Sequence, residues 1–301
     1  MDKRGLGYIC AIGSAVIYGL CAVLTKQVTE AGLSIPTILF GRGLFGCIFC
    51  ALICLVRKTP LKYKKETVPQ IVLLGFLGTA ATLFLLNVAY TYMAVGTATT
   101  IHFLYPAMVC LASALLFKER ISVSTWIAIV VSFAGIALLA GDSGGGTLIG
   151  VIIAILSAFT WSFYLMYIEH SSILSEDKYA VTFFICFVIL AFGLIYGLIG
   201  GEFEPASLIG PSTFMIAFIA LLNNVMATVL VQKGVELIGS SSTAVFSVFE
   251  PVSSIIFGVL IMNEKLGVLQ LVGCVIILAS ILFILICNNM KQKGAADENY
   301  V

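Results

Sequence analysis

Ten apolar runs follow one another along this chain, at 6–25, 35–56, 69–92, 97–117, 123–141, 148–168, 179–199, 212–232, 240–262 and 266–286. A helix needs about 20 mostly apolar residues to cross a hydrocarbon core about 30 Å thick. A barrel strand needs only about 9–11 residues, in polar/apolar alternation. Most of these runs are apolar on every side, as a helix in lipid should be. The longest polar stretches, 57–68, 169–178, 200–211 and 288–301, leave no room for a soluble domain. With 60% hydrophobic and 10% charged residues, against about 45–50% and 25% in soluble domains, a water-soluble enzyme, a nucleic-acid binder and a disordered chain are all excluded. The expectation is an all-α membrane protein of ten transmembrane helices. Lys3 and Arg4 precede the first run, but its length and the nine runs after it read as a retained helix, not a cleaved signal.

Lysine and arginine collect in cytoplasmic loops. With the N-terminus inside, Lys3, Arg4, Arg57, Lys58, Lys62, Lys64, Lys65, Lys118, Arg120, Lys178, Lys233, Lys291 and Lys293 all fall inside. Lys26 and Lys265 fall outside, and Arg42 lies within a run. Adding or dropping one span would scramble this bias. It predicts a multi-pass plasma-membrane protein with both termini cytoplasmic. The nine cysteines sit in or at the ends of apolar runs, so no disulfide framework follows. Cys47, Cys50 and Cys54 share one helix face, and no second Cys pair or His cluster completes a metal site.

The chain repeats itself. Gly7, Ala11, Ser14, Ala15 and Tyr18 recur as Gly150, Ala154, Ser157, Ala158 and Trp161. Pro106 precedes Glu119 by the same thirteen residues that separate Pro251 from Glu264. Two five-helix units result, 1–141 and 147–286, joined by a glycine-rich linker and followed by a cytoplasmic tail, 287–301. Because five is odd, the second unit enters the membrane from the opposite side. Two inverted repeats are the plan of many secondary transporters.

Phe103-Leu-Tyr-Pro106 with Lys118-Glu119-Arg120, and Phe249-Glu-Pro251 with Asn263-Glu264-Lys265, resemble the repeated signature of EamA-domain proteins of the drug/metabolite transporter superfamily. Arg42, within Leu39-Phe-Gly-Arg-Gly-Leu-Phe, is similar to that family's second-span arginine. The resemblance spans 6–286 and implies ten helices, cytoplasmic termini and movement of small metabolites or drugs, with export slightly favoured. His102 is not part of the family pattern.

Ionisable groups at membrane depth are costly, which singles out Arg42, His102 and Glu250. Glu250 lies about 15 Å into its span, at 1.5 Å per residue. It reads either as a proton-coupling or cation-binding group, or as the partner of Arg42 in a structural pair. Arg42 reads as a site for anions, as an internal ion pair, or as a snorkelling side chain. His102 reads as a proton relay, a substrate contact or a packed histidine. A proline in a helix leaves the carbonyl four residues back without its donor. Pro106 should therefore release the carbonyl of His102, and Pro251 that of Ser247. Such carbonyls line cavities or meet protein donors, or merely mark kinks. Tyr105, Asn223, Asn224, Asn87, Tyr90 and the repeat-equivalent Tyr18 and Trp161 complete the polar and aromatic groups at depth. Glu119 and Glu264 read as organisers of helix ends.

Two motif matches carry no chemistry. Gly141-Asp-Ser-Gly-Gly145 matches a nucleophile elbow without its strand and helix, and Gly41-Arg-Gly-Leu-Phe-Gly46 lies inside a span, where small residues serve close helix contact. No cofactor, metal or nucleic acid is implied, and no oligomeric state is selected. The expected partners are a small-molecule substrate, the lipid bilayer and, on one reading of Glu250, protons. The function expected is alternating-access transport of small organic metabolites (amino acids, vitamins or related amphipathic compounds) by export or facilitated exchange. The alternatives are an intramembrane Ser/His hydrolase, which needs a hydroxyl beside His102, and a non-transporting membrane scaffold.

Overall fold

The computed structural model describes residues 3–63, 65–117, 147–247 and 249–265, with scattered positions between 123 and 138 and between 267 and 283. The runs expected at 123–141 and 266–286 lie largely outside these, and Glu119, the linker at 141–146 and the tail 287–301 lie wholly outside. All regular structure among the described residues is helical. Among the described residues, six helices are long and apolar enough to cross a membrane.

Helices α1 (Lys3–Glu30) and α2 (Ile35–Arg57) are continuous. Ser34 caps α2 by accepting from Thr37 N at 3.4 Å, and Pro36 follows in the first turn, where a missing N–H costs nothing. Helix α3 (Thr67–Tyr92) contains a π-helical stretch, Leu74–Ala80. Helix α6 (Leu148–Glu169) begins at Thr147, whose hydroxyl accepts from Gly150 N, and α7 (Lys178–Gly200) begins at Asp177, which accepts from Tyr179 and Ala180 N.

The fourth and ninth runs are not single helices. The fourth is α4 (Val95–His102) and α5 (Tyr105–Phe117), separated at Phe103 and Leu104. Pro106 explains the break, since it has no N–H to bond the carbonyl of His102 four residues back and its ring clashes there, so the ladder of α4 ends and that of α5 begins anew. Helical bonding that starts at Pro211 runs to Phe246, but Gly239 within it has φ 80° and ψ 165°, a conformation suited to glycine. We therefore separate α8 (211–238) from α9 (240–246), and α10 (Phe249–Met262) completes the ninth run. Helix α8 carries a second π-helical stretch, Ala220–Ala227. Each short helix has its first N–H held by a distant carboxylate: Val95 N donates to Glu264 Oε1 at 3.0 Å, and Ser240 N to Glu169 Oε2 at 3.0 Å.

The packing follows an exchange. Helix α1 lies along α8, pairing Gly7 with Ile238, Gly13 with Leu230 and Tyr18 with Thr228. Helix α6 lies along α3 in the same sense, pairing Gly150 with Met93, Thr160 with Thr82 and Tyr164 with Gly78. Helices α2 and α7 run antiparallel down a common seam: Pro36 meets Gly197, Phe40 meets Gly193, Cys47 Sγ donates to Phe183 O, and Arg57 reaches Asp177 at the far end. A Cβ on Gly193 would stand 2.5 Å from Phe40 N, and one on Gly43 would stand 2.8 Å from Cys186 O. Only glycine permits this backbone contact.

Candidate functional site

The helices converge on a buried polar centre. Arg42, 2% exposed, points from α2 into the π-helical turn of α8. Its Nη2 donates to Asn223 Oδ1 at 2.6 Å and to Asn224 Oδ1 at 2.8 Å, and its Nε to Asn224 Oδ1 at 3.2 Å. Asn224 Nδ2 returns a bond to the Arg42 carbonyl at 3.3 Å. Burial removes the snorkelling reading. The expected alternative of an Arg42–Glu250 pair is also absent among the described residues: neutral amides, not a carboxylate, hold the guanidinium.

A cavity of about 50 Å³ lies beside this clamp. It is lined by Tyr18, Cys21, Ala22 and Thr25 of α1, Arg42 of α2, Thr82, Leu83, Leu86, Asn87 and Tyr90 of α3, His102 of α4, Trp161 of α6, Asn223 of α8 and Glu250 of α10. Six of the nine pathway residues read from the sequence therefore meet on one space. The other three stand behind it. Asn224 only clamps Arg42. Tyr105 packs its ring 5.3 Å from His102 and 6.4 Å from Trp161, and its hydroxyl has no hydrogen-bond partner among the described residues. Ser247 donates to Thr243 O at 2.9 Å. Its carbonyl, expected to be released by Pro251, accepts from Glu250 N at 2.9 Å: the chain tightens into a turn there and recovers the bond.

His102 Nδ1 lies 2.8 Å from Ser157 Oγ, and that hydroxyl donates to Ala154 O at 2.6 Å. The serine thus accepts from the ring while its own proton is committed to backbone. That is the reverse of an activated nucleophile, and Ser157 does not line the cavity. The repeat-equivalent Ser14 donates to Ala11 O at 2.8 Å in the same way. Among the described residues no group of three or more His, Cys, Asp or Glu is placed to hold a metal.

Aromatic rings close one end of the cavity. Trp161 stacks on Tyr164 at 4.6 Å and meets Tyr18 edge-on at 5.6 Å. Beyond them lies a polar layer the sequence reading passed over: Gln232 Nε2 donates to Tyr164 Oη and Thr182 Oγ1, each at 3.2 Å. Asn224, Thr228 and Gln232 recur every four residues and so form one stripe on α8, a signal present in the sequence. Toward the Lys26 end, Tyr90 separates the cavity from a cleft of about 400 Å³ lined by Lys26, Thr29, Glu30, Thr91, Tyr92 and Met93. At that end Lys26 Nζ meets Glu264 Oε1 at 3.2 Å, and the same oxygen caps α4.

Apolar helices long enough to span a bilayer, closed around charged and amide groups on a small cavity, define a multi-pass membrane protein with a polar core. The comparisons with known proteins make that class specific. The model of the EamA-like transporter family matches twice, at residues 5–141 and 148–286. Two curated relatives from Bacillus subtilis (strain 168) match over most of their length. The uncharacterized transporter YdfC is 26% identical over 84% of this chain and 82% of its own. The uncharacterized transporter YvbV is 25% identical over 87% and 86%. A solved structure, 19% identical, matches with a TM-score of 0.65 over 92% of this chain and 98% of its own, which shows the shared fold. The chain belongs to the EamA-like transporter family, within the drug/metabolite transporter superfamily, and is a transporter.

Proposed function

We propose that the protein is a secondary carrier for small organic metabolites, in the range of amino acids, vitamins and related amphipathic compounds. It exports or exchanges them across the plasma membrane by alternating access. The observation that carries this reading is one buried cavity lined by both Arg42 and Glu250 and walled by Tyr18, Tyr90 and Trp161. Charge of both signs at membrane depth is expensive, and aromatic walls beside it suit a solute with polar and apolar parts.

The ten-helix plan, with units 1–141 and 147–286 inverted relative to each other, is part of the proposal. It draws support from the antiparallel run of the equivalent helices α2 and α7, and from the exchange in which α1 lies on α8 as α6 lies on α3. With thirteen of sixteen basic residues assigned to the cytoplasmic side, the Lys26 end faces outward. A cavity of about 50 Å³ holds a few waters. It is far smaller than the roughly 300–1,000 Å³ of an organic ligand site. The conformation described is then a closed one, with the Lys26–Glu264 pair over one end and the Trp161–Tyr164 stack under the other.

Flux into and out of proteoliposomes tests the reading, screened over amino acids, vitamins and nucleosides with and without a pH gradient. Saturable flux of at least one solute is expected. Where a pH gradient drives it, Glu250→Gln abolishes the gradient dependence. Intact pH-driven flux in that variant removes the proton role, and absence of flux for every solute removes the carrier reading.

A further inference from the structure

The cavity holds more donors than its own acceptors fill. Arginine has five N–H groups, and the bonds from Arg42 to Asn223 and Asn224 use only Nε and Nη2. The Nη1 group makes no hydrogen bond among the described residues. Asn87, 3% exposed, has a buried Nδ2 with no hydrogen-bond partner among the described residues. Both side chains line the same space. A buried donor left unfilled is costly. Asn87 Nδ2 is one, and its side chain lines the same cavity as a positively charged guanidinium whose Nη1 is unused, which together describe a place for an acceptor. The acceptor that suits a guanidinium edge is planar, with two oxygens and one negative charge. A dianion such as phosphate suits it less, because Glu250 lines the cavity as well and like charges repel.

We propose that Arg42 Nη1 and Asn87 Nδ2 form a carboxylate-binding subsite in the central cavity, so that the carried solute bears a carboxylate. This rests on the transport reading of that cavity. Asn223 and Asn224 fix the guanidinium from one side without neutralising it, which leaves its charge for the ligand. Tyr90, three residues from Asn87 on α3, stands where the solute enters from the outer cleft.

Protein in lipid nanodiscs is titrated with acetate, L-alanine and L-leucine, and with acetamide, L-alaninamide and L-leucinamide. Trp126→Phe leaves Trp161, which lines the cavity, as the sole tryptophan reporter, since the chain has two. Acids are expected to shift its emission saturably, with affinities about tenfold or more above their amides. Asn87→Asp keeps the shape and replaces the donor with an acceptor. It lowers the acid-to-amide affinity ratio by about tenfold or more. Asn87→Leu reads the same ratio where the aspartate variant fails to assemble. A loss equal for acids and amides, equal affinities in the parent chain, or no response to any acid overturns the subsite. Flux of the same solutes separates the two readings. Flux of amides alone removes the subsite and leaves the carrier, whereas no flux of these solutes or of the wider panel removes both.

Discussion

Helices α3 and α8 depart from regular α-helix at matching places and for different ends. Their π-helical stretches begin at Leu74 and Ala220, 146 residues apart, each in the third apolar run of its repeat. In α3 the stretch reads LGFLGTA and is used for packing. Gly75 sits against Val188 and Gly78 against Tyr164, with the hydroxyl of Thr79 unpartnered among the described residues. In α8 it reads ALLNNVMA and holds Arg42. Adjacent side chains on an α-helix diverge by about 100°. The wider i→i+5 turn of a π-helix narrows that angle, so Asn223 and Asn224 can grip one guanidinium together. One distortion lets a neighbouring helix approach, and the other builds a charged centre.

Three substitutions probe this contrast, each read as unfolding of purified protein in detergent. Asn224→Leu should cost most, about 3–6 kcal/mol, because it removes two bonds to a buried charge at about 1.5–3 kcal/mol each. A loss below about 1 kcal/mol would mean that the clamp is ornamental. Gly78→Ala should cost about 1–3 kcal/mol through overpacking, since its Cβ would stand 3.0 Å from that of Tyr164. No loss there would mean that the α3 stretch has slack. Thr79→Val should be neutral or slightly stabilising, as an unpartnered hydroxyl is replaced by a methyl. A loss above about 1 kcal/mol would reveal a partner for Thr79 and erase the contrast.

The sequence carried the apolar runs, the repeat and the inward facing of Arg42 and Glu250, both buried, because each depends on composition and spacing alone. The breaks in the fourth and ninth runs it carried only as kinks at Pro106 and Pro251, not as separate helices. Phe103 and Leu104 are as apolar as the helices they separate, so hydropathy passes over the turn. Nor did it carry the partner of Arg42. Charge suggested Glu250, but contact is decided by which face of α8 meets α2, and that face presents amides. Gln232 was overlooked for a related reason: a single amide in an apolar run stands out only when read with Thr228 and Asn224 as one stripe.

The glycine contact of α2 with α7 has a mechanical consequence. Where main chain rests on main chain, as Gly193 rests on Phe40 and Gly43 on Cys186, there are no rotamers to rearrange and no grease for one helix to slide along the other. Sliding α2 along α7 would drive backbone into backbone, so on the carrier reading proposed above the two helices travel as one piece and any opening must occur elsewhere.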